Sequence, residues 1–310
     1  GSAALWRRPA LLRNADEAAF QRAEELNAIF SDYETDSELN ALSRASGNGQ
    51  ARPVSDDLWR VLEQARALAV RTRGAFDITV GPYVNLWRRA RRLGQLPESR
   101  LLAEAAQRVG YDKVALDRRN RAVRLTVPGM KLDLGGIAKG FVVDEAMKIL
   151  RQHGIDRALV AASGDILVSE APPDAAGWRV GLVGLDESAR EPEGFLSLRH
   201  AAVSTSGDLA QRLDIAGVRY SHIVDPRTGI GLTNHSLVTV IARMCVQSDS
   251  LATAVSVLGP DEGKRFASRL RGVDFRIVHP RGDNDFIEIR SPAFSRWMTR
   301  TPVAAANRLE

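Results

Sequence analysis

Cysteine is nearly absent. Cys245 is the single cysteine in 310 residues, which excludes an internal disulfide and a cysteine-rich metal site. It lies in an apolar run, residues 238–246, and is expected to pack as a small core side chain, which leaves the compartment undecided. Long hydrophobic stretches are also missing, and no run reaches the length of a bilayer span. Lysine is scarce, confined to positions 113, 131, 139, 148 and 264, so arginine carries almost all of the positive charge in a chain of net charge +5. The arginines cluster, as in Arg88-Arg89-Ala-Arg91-Arg92, but no interleaved aromatics or zinc spacing accompany them. That argues against nucleic acid as a partner and for a solvated helix face. A mild positive field still helps to attract an anionic phosphate ligand. No repeat of fixed period is present.

What is there suits a globular chain with a sizeable core: 44% hydrophobic and 26% charged residues. Apolar positions at helical spacing predict helices over 14–30 and 56–73, the second with Asp56 and Asp57 at its start and Gly74 as its stop. Residues 31–53 are polar and read as a long loop. Pro97 opens a third helix ending near Gly110. Strands are expected at 113–116 and 122–127, then a helix over 137–152. Short strands follow at 158–162, 178–182, 194–198, 201–205, 220–224 and 237–241. Two helices (248–258 and 261–270) and two strands (275–278 and 286–289) complete the pattern. Helices in front and antiparallel strands behind indicate an α+β fold with antiparallel-rich sheets and flanking helices, not a doubly wound sheet.

The segment Lys131-Leu-Asp-Leu-Gly-Gly-Ile-Ala-Lys-Gly140 carries the most information. An apolar run ends in Asp133, paired glycines follow, and a helical pattern begins at once. The glycines allow close approach of a ligand, and the first amides of a helix can hold phosphate oxygens. A plain strand-to-helix turn explains the same residues equally well. In 76–82, Asp77 and Thr79 alternate with apolar neighbours as on a short strand, either facing a ligand or satisfying turn amides. Asp165, after Gly164, either caps local amides or orients a catalytic group. The small-polar turn Ser204-Thr-Ser206-Gly-Asp208 either surrounds a phosphate or flavin edge or is an ordinary hairpin.

Tyr220-Ser-His222-Ile-Val-Asp225-Pro-Arg-Thr-Gly229 is the densest polar constellation. His222, on a short strand before a proline turn, suits proton transfer near neutral pH, and Asp225 is close enough in sequence to orient it. Histidines 153, 200, 235 and 279 have no comparable surroundings. Asp249 and Thr253 are four apart on one helix face. They form a hard-oxygen pair suited to Mg²⁺. Alternatively, Asp249 favours a helix N-terminus while Thr253 bonds a backbone carbonyl.

Together these segments resemble the ApbE family of FAD:protein FMN transferases. The matching stretches begin at Phe76, Leu132, Ser163, Ser204, Tyr220 and Ser248, and they occur in the family's order across about 76–258. The resemblance implies a T-fold-related architecture in one domain over 3–308, with room for two closely packed lobes. Gly1-Ser2 and Leu309-Glu310 read as cloning remnants. It implies FAD as substrate and Mg²⁺ as cofactor, with FMN moved onto a threonine or serine hydroxyl of a target protein and AMP released. The implied target is a membrane-associated electron-transfer protein with a flavinylation motif. The implied location is periplasmic or otherwise extracytoplasmic, with a lipid anchor in the full-length protein. By position, Ala75, Phe76, Asp77, Asp133, Lys139 and Ile223 contact FAD, with Ser206 beside them. Asp249, Thr253 and the backbone oxygen of Gly136 bind the metal. His222 assists attack at phosphorus, with Asp225 in support. Two segments depart from the family pattern. Ala3-Ala-Leu-Trp-Arg-Arg-Pro9 replaces a Met-Gly-Thr-type strand, and Ser37-Glu-Leu-Asn-Ala-Leu-Ser43 replaces a Ser-Glu-Leu-Ser-Arg-Leu-Asn run. Both bear on FAD affinity and on the balance of transfer against hydrolysis. The rival functions are an FAD pyrophosphatase using water and a non-catalytic flavin carrier.

Overall fold

A computed structural model describes residues 9–185, 191–208, 212–282 and 285–299. The proposed cloning remnants, the domain limits at 3 and 308, and the altered segment up to residue 8 lie outside the described residues. Six strands form the central sheet in the order β13-β12-β11-β8-β5-β4, every neighbouring pair antiparallel. They are β4 (Leu159–Ala162), β5 (Asp165–Val168), β8 (Ala201–Ser206), β11 (Leu237–Ala242), β12 (Asp274–Pro280) and β13 (Phe286–Arg290). The period-two alternation of strands gives the sheet two different faces. In β8, Ala201 and Val203 meet Val180, Leu182, Leu196 and Leu198 of the hairpin β6 (Trp178–Leu182) and β7 (Gly194–Leu198). Ala202, on the other face, meets Val143, Met147 and Cys245 of the helices α6 (Ala138–Gln152) and α7 (Cys245–Ala267). Cys245 is fully buried, as its apolar run leads one to expect.

The front half supplies α1 (Pro9–Phe30), α2 (Glu38–Arg44), α3 (Asp56–Arg71), α4 (Gly81–Leu93) and α5 (Ser99–Ala106). A small sheet of β1 (Arg52–Pro53), β3 (Ala122–Leu125) and β2 (Val114–Asp117) packs with them, and β9 (Arg212–Ile215) pairs with β10 (Val218–Ser221). Helices and antiparallel sheets are segregated as the α+β expectation requires.

Several local expectations are corrected. The polar stretch 31–53 holds a helix, α2, whose Ser37 side chain caps Asn40 N and which buries only Leu39, Leu42 and Ser43. Three inward positions in seven residues are too few to show as periodicity. Residues 76–80 form a tight turn, not a strand: Asp77 Oδ1 accepts from both N and Oγ1 of Thr79 at 2.8 Å. The two C-terminal helices are one element kinked at Gly259 (φ 77°) and Pro260, and it starts at Cys245, three residues earlier than expected.

Two long helices dominate the sheet's helical face, and neither caps its own N-terminus. Ile137 and Met244 make no side-chain cap bond. Each helix instead takes a carboxylate from the other. Asp144 of α6 accepts from Cys245 N (2.8 Å) and Val246 N (2.9 Å), while Asp249 of α7 accepts from Gly140 N at 2.9 Å. Contact this close needs glycine, because a Cβ on Gly140 would lie 2.4 Å from Cys245 O. Gly140→Ala should therefore force the helices apart and destabilise the protein by roughly 1–3 kcal/mol, the usual cost of overpacking, measured by urea unfolding. Unchanged stability would show that the crossing is not tight.

Candidate active site

The glycine turn is anchored before it is functional. Asp133 N donates to Ile78 O at 2.8 Å, which ties the 76–80 turn to the 131–136 loop. The Asp133 carboxylate accepts from Gly135 N at 2.8 Å and lies 3.4 Å from Arg88 of α4. Burial pushes Asp133 above the usual carboxylate range, and Asp32 adds to the shift. The amides at the head of α6 do not form a phosphate cradle. Ala138 N donates to Leu134 O, and Gly140 N is held by Asp249.

At this helix head the Lys139 ammonium rests in a nest of oxygens. It is 3.0 Å from Gly135 O, 3.0 Å from Asp165 Oδ2 and 3.4 Å from Asp249 Oδ1. Burial alone would lower the lysine, but Asp249 and Asp165 together hold it above its ordinary value. Burial pushes Asp249 up to about 6 against the pull of Lys139, with the nearby Asp165 carboxylate contributing to the rise. Asp165 reaches the nest because Ser163 (φ 51°) and Gly164 (φ 96°) turn the chain tightly from β4 into β5. Its carboxylate thus meets the Lys139 ammonium.

Asp249 does not sit in the first turn of α7, because that helix begins at Cys245. Thr253 follows it by four residues, and Gly136 fits directly against it: a Cβ at Gly136 would lie 3.0 Å from Thr253 Oγ1. The three residues expected to bind metal are thus brought to one place. Among the described residues no group of three or more His, Cys, Asp or Glu is arranged to hold a metal ion. The donor set is instead a carboxylate, a hydroxyl and a backbone carbonyl, which suits a hard cation that keeps much of its water. Asp249, one member of the set, already holds the Lys139 ammonium at 3.4 Å, and the hard oxygens of the set fit Mg²⁺.

The histidine segment forms the second half of the site. His222 is exposed and follows β10 in a bend, not on a strand. Its loop is closed by Ser221 N to Leu232 O (2.7 Å), Leu232 N to Ile223 O (2.8 Å) and Asp225 N to Ile230 O (2.9 Å). Asp225 is engaged by Arg227, which meets its carboxylate through the backbone N, Nε and Nη2 at 2.9 Å each. It therefore shapes the turn. This loop leans on α4 and α7 alike. Trp87 Nε1 donates to Gly229 O at 2.8 Å, and the Trp87 and Tyr220 rings lie 5.2 Å apart. Arg227 reaches Val257 O at 3.4 Å and Asn234 reaches Ser256 O at 3.2 Å, one turn beyond Thr253. Ser206 ends β8 on the α7 face, in register with Ser204, whose Oγ lies 2.8 Å from Ser248 Oγ.

Ala75, Phe76 and Asp77 are buried. Phe76 packs in the main core, and Asp77 is committed to its own turn, with burial raising its pKa. Arg88 was expected on a solvated face; it instead bridges Asp32 and Asp133 and lies 4.3 Å from the Tyr33 ring centroid. Nothing in an arginine cluster marks which member turns inward. His235 also has more than the sequence suggests: its Nδ1 lies 2.8 Å from the buried Asp208 carboxylate, 27 residues away in the chain.

Trp87→Phe should remove the bond to Gly229 O and cost roughly 1–3 kcal/mol for an unsatisfied buried acceptor. Amide exchange should rise within 221–232 and stay constant in the central sheet. Unchanged exchange there would show that α4 does not hold the histidine loop.

The family model described as the ApbE family matches residues 3–277. A Haemophilus influenzae FAD:protein FMN transferase is 31% identical over 279 residues, covering 88% of this chain and 80% of that protein. The Treponema pallidum FAD:protein FMN transferase is 32% identical with the same coverage. Among solved structures, the flavin transferase ApbE from Vibrio cholerae superposes with a TM-score of 0.82 at 28% identity, covering 92% of this chain and 90% of that one.

Proposed function

The chain belongs to the ApbE family, and on that premise we propose that it is a flavin transferase. It moves FMN from FAD onto a threonine or serine hydroxyl of a target protein and releases AMP. The relatives it resembles carry the name FAD:protein FMN transferase. The observation that supports the reading best is convergence: α4 and α7 each touch both the glycine turn and the His222 loop.

In this reading Asp249, Thr253 and the Gly136 carbonyl would hold Mg²⁺. When bound, the ion neutralises charge on the pyrophosphate oxygens. Lys139 keeps a second positive charge 3.4 Å from Asp249 Oδ1. The target hydroxyl attacks the FMN-side phosphorus, and the His222 ring takes the proton of that hydroxyl. The phosphorus–oxygen bond on the AMP side breaks, and AMP departs with the bonding pair. The proposed setting is extracytoplasmic, with a membrane-associated electron-transfer protein as target. No described helix is long and apolar enough to cross a membrane.

His222→Ala should slow AMP release about 100-fold, the low end for a lost general base, while the FAD dissociation constant stays within about twofold. Asp249→Ala should abolish Mg²⁺-dependent turnover; its lost cap on α6 should cost only about 1 kcal/mol in urea unfolding. Wild-type rates in both variants would sink the site. AMP appearing at full rate without a target protein, with no covalent flavin when one is added, would mean that water is the acceptor.

A further inference from the structure

A second concavity of about 840 Å³ lies away from the site just described. Strands β5, β8 and β11 present Asp165, Ser206 and Leu237 at the site end of the sheet. At their other ends they lead into Ser169, His200 and Arg243, all of which line this cleft. A six-residue strand separates the two ends by roughly 20 Å. The cleft runs along α6, whose Lys148 and Arg151 face Arg60 of α3 and Arg157 of the following loop.

Positive charge in the cleft is in excess once local partners are assigned. Asp144 is taken up by the amides of α7. Glu145, on the floor, is neutralised by Arg22, Arg60 and Lys148 at 3.1–3.4 Å. Glu170 is paired with Arg199 at 2.7 Å and His200 at 3.1 Å. Asp156 is left among the lining acids, together with Asp144, which keeps its charge and attracts Arg151. Arg151, Arg157 and Arg243 are exposed and form no ion pair among the described residues. Beside them the Met244 side chain is 45% exposed, an apolar contact among the charges.

We propose that this cleft binds an acidic segment of a partner protein. The volume is several residues' worth and far exceeds one phosphate group. The three arginines come from separate elements, Arg151 from α6, Arg157 from the loop after it and Arg243 from the segment between β11 and α7, and Arg157 Nε also donates to Ala171 O at 3.1 Å. Their distribution over separate elements suits successive carboxylates on an extended chain, with an apolar side chain set against Met244. The rim charges govern encounter and specificity.

The test is fluorescence anisotropy on the whole protein with a fluorescein-labelled (Glu-Glu-Leu)₃ peptide as probe. Binding should weaken as salt is raised. Arg151→Glu with Arg243→Glu should weaken binding at least about tenfold, whereas Arg89→Glu with Arg92→Glu, an equal charge change on exposed positions of α4, should weaken it less than about threefold. All four positions are exposed, and melting curves confirm that each variant folds. Equal losses in both double variants would mean general attraction to a basic protein and would overturn the proposal. So would absence of binding. Anionic phospholipid vesicles that bind only while Arg151 and Arg243 are intact, with no peptide binding, would reassign the cleft to a membrane surface. The readout does not involve FAD turnover, so it stands or falls apart from the flavin transferase reading.

Discussion

Everything at the site is referenced to one contact, the crossing of α6 and α7 at Gly140 and Cys245. Each helix begins without a cap of its own and borrows a carboxylate from the other, Asp144 in one direction and Asp249 in the other. A cap of this kind is worth about 1 kcal/mol, and its geometric consequence is larger than its energy. The two helix heads cannot move independently, since each is fastened to the other's side. Gly136, Lys139 and Gly140 on one helix head, and Asp249 and Thr253 on the other helix, therefore share a single frame. Ser204 and Ser248 add a buried hydroxyl pair at 2.8 Å between α7 and the sheet beneath it.

A second frame crosses the first. Helix α4 places consecutive residues on different jobs, Trp87 on the carbonyl of Gly229 and Arg88 on Asp133. Its own approach is set by Gly81, where a Cβ would lie 2.5 Å from Lys131 O. The glycine turn and the histidine loop are about ninety residues apart in the chain, yet they lean on one helix. Because α7 also touches both, through Gly140 and through Arg227 and Asn234, the loop is held from two sides. Loops positioned by rigid elements in this way keep their side chains registered while remaining open to solvent.

Much of this was legible in the residues, and the illegible part has a physical cause. Strands 178–182 and 194–198 were readable to the residue, because each has one face on the core and so alternates. The Asp249–Thr253 pair was readable through i, i+4 spacing, whereas Gly136 joined it only through the family resemblance. Helix α2 was not, because so few of its positions face inward. Arg88, Asp165 and His235 were misjudged or left open for another reason: their roles are set by partners 45, 26 and 27 residues away. Local pattern carries no information about which charge meets which at such separations. The same limit applied to the expected phosphate cradle. A glycine turn before a helix advertises free amides, but the sequence does not say that a distant carboxylate has claimed one of them.

That carboxylate changes the electrostatics of the helix head. Asp249 and Asp165 bring two negative charges to a site where Lys139 supplies one positive charge, so with both acids ionised the nest carries a net charge of −1. Such a site repels a bare pyrophosphate and attracts cations. The rise of Asp249 to about 6 expresses that strain, with burial as its main cause and Asp165 contributing. A divalent cation at these oxygens would turn the net charge to +1, and the same helix head would then attract the pyrophosphate it otherwise rejects. Under the proposed function, affinity for the nucleotide would thereby be conditional on the metal. Had the amides of α6 been left free, the site would bind phosphate with or without a cation. The borrowed cap at Gly140 is therefore a packing device that, under the proposed function, would also place nucleotide affinity under the metal's control.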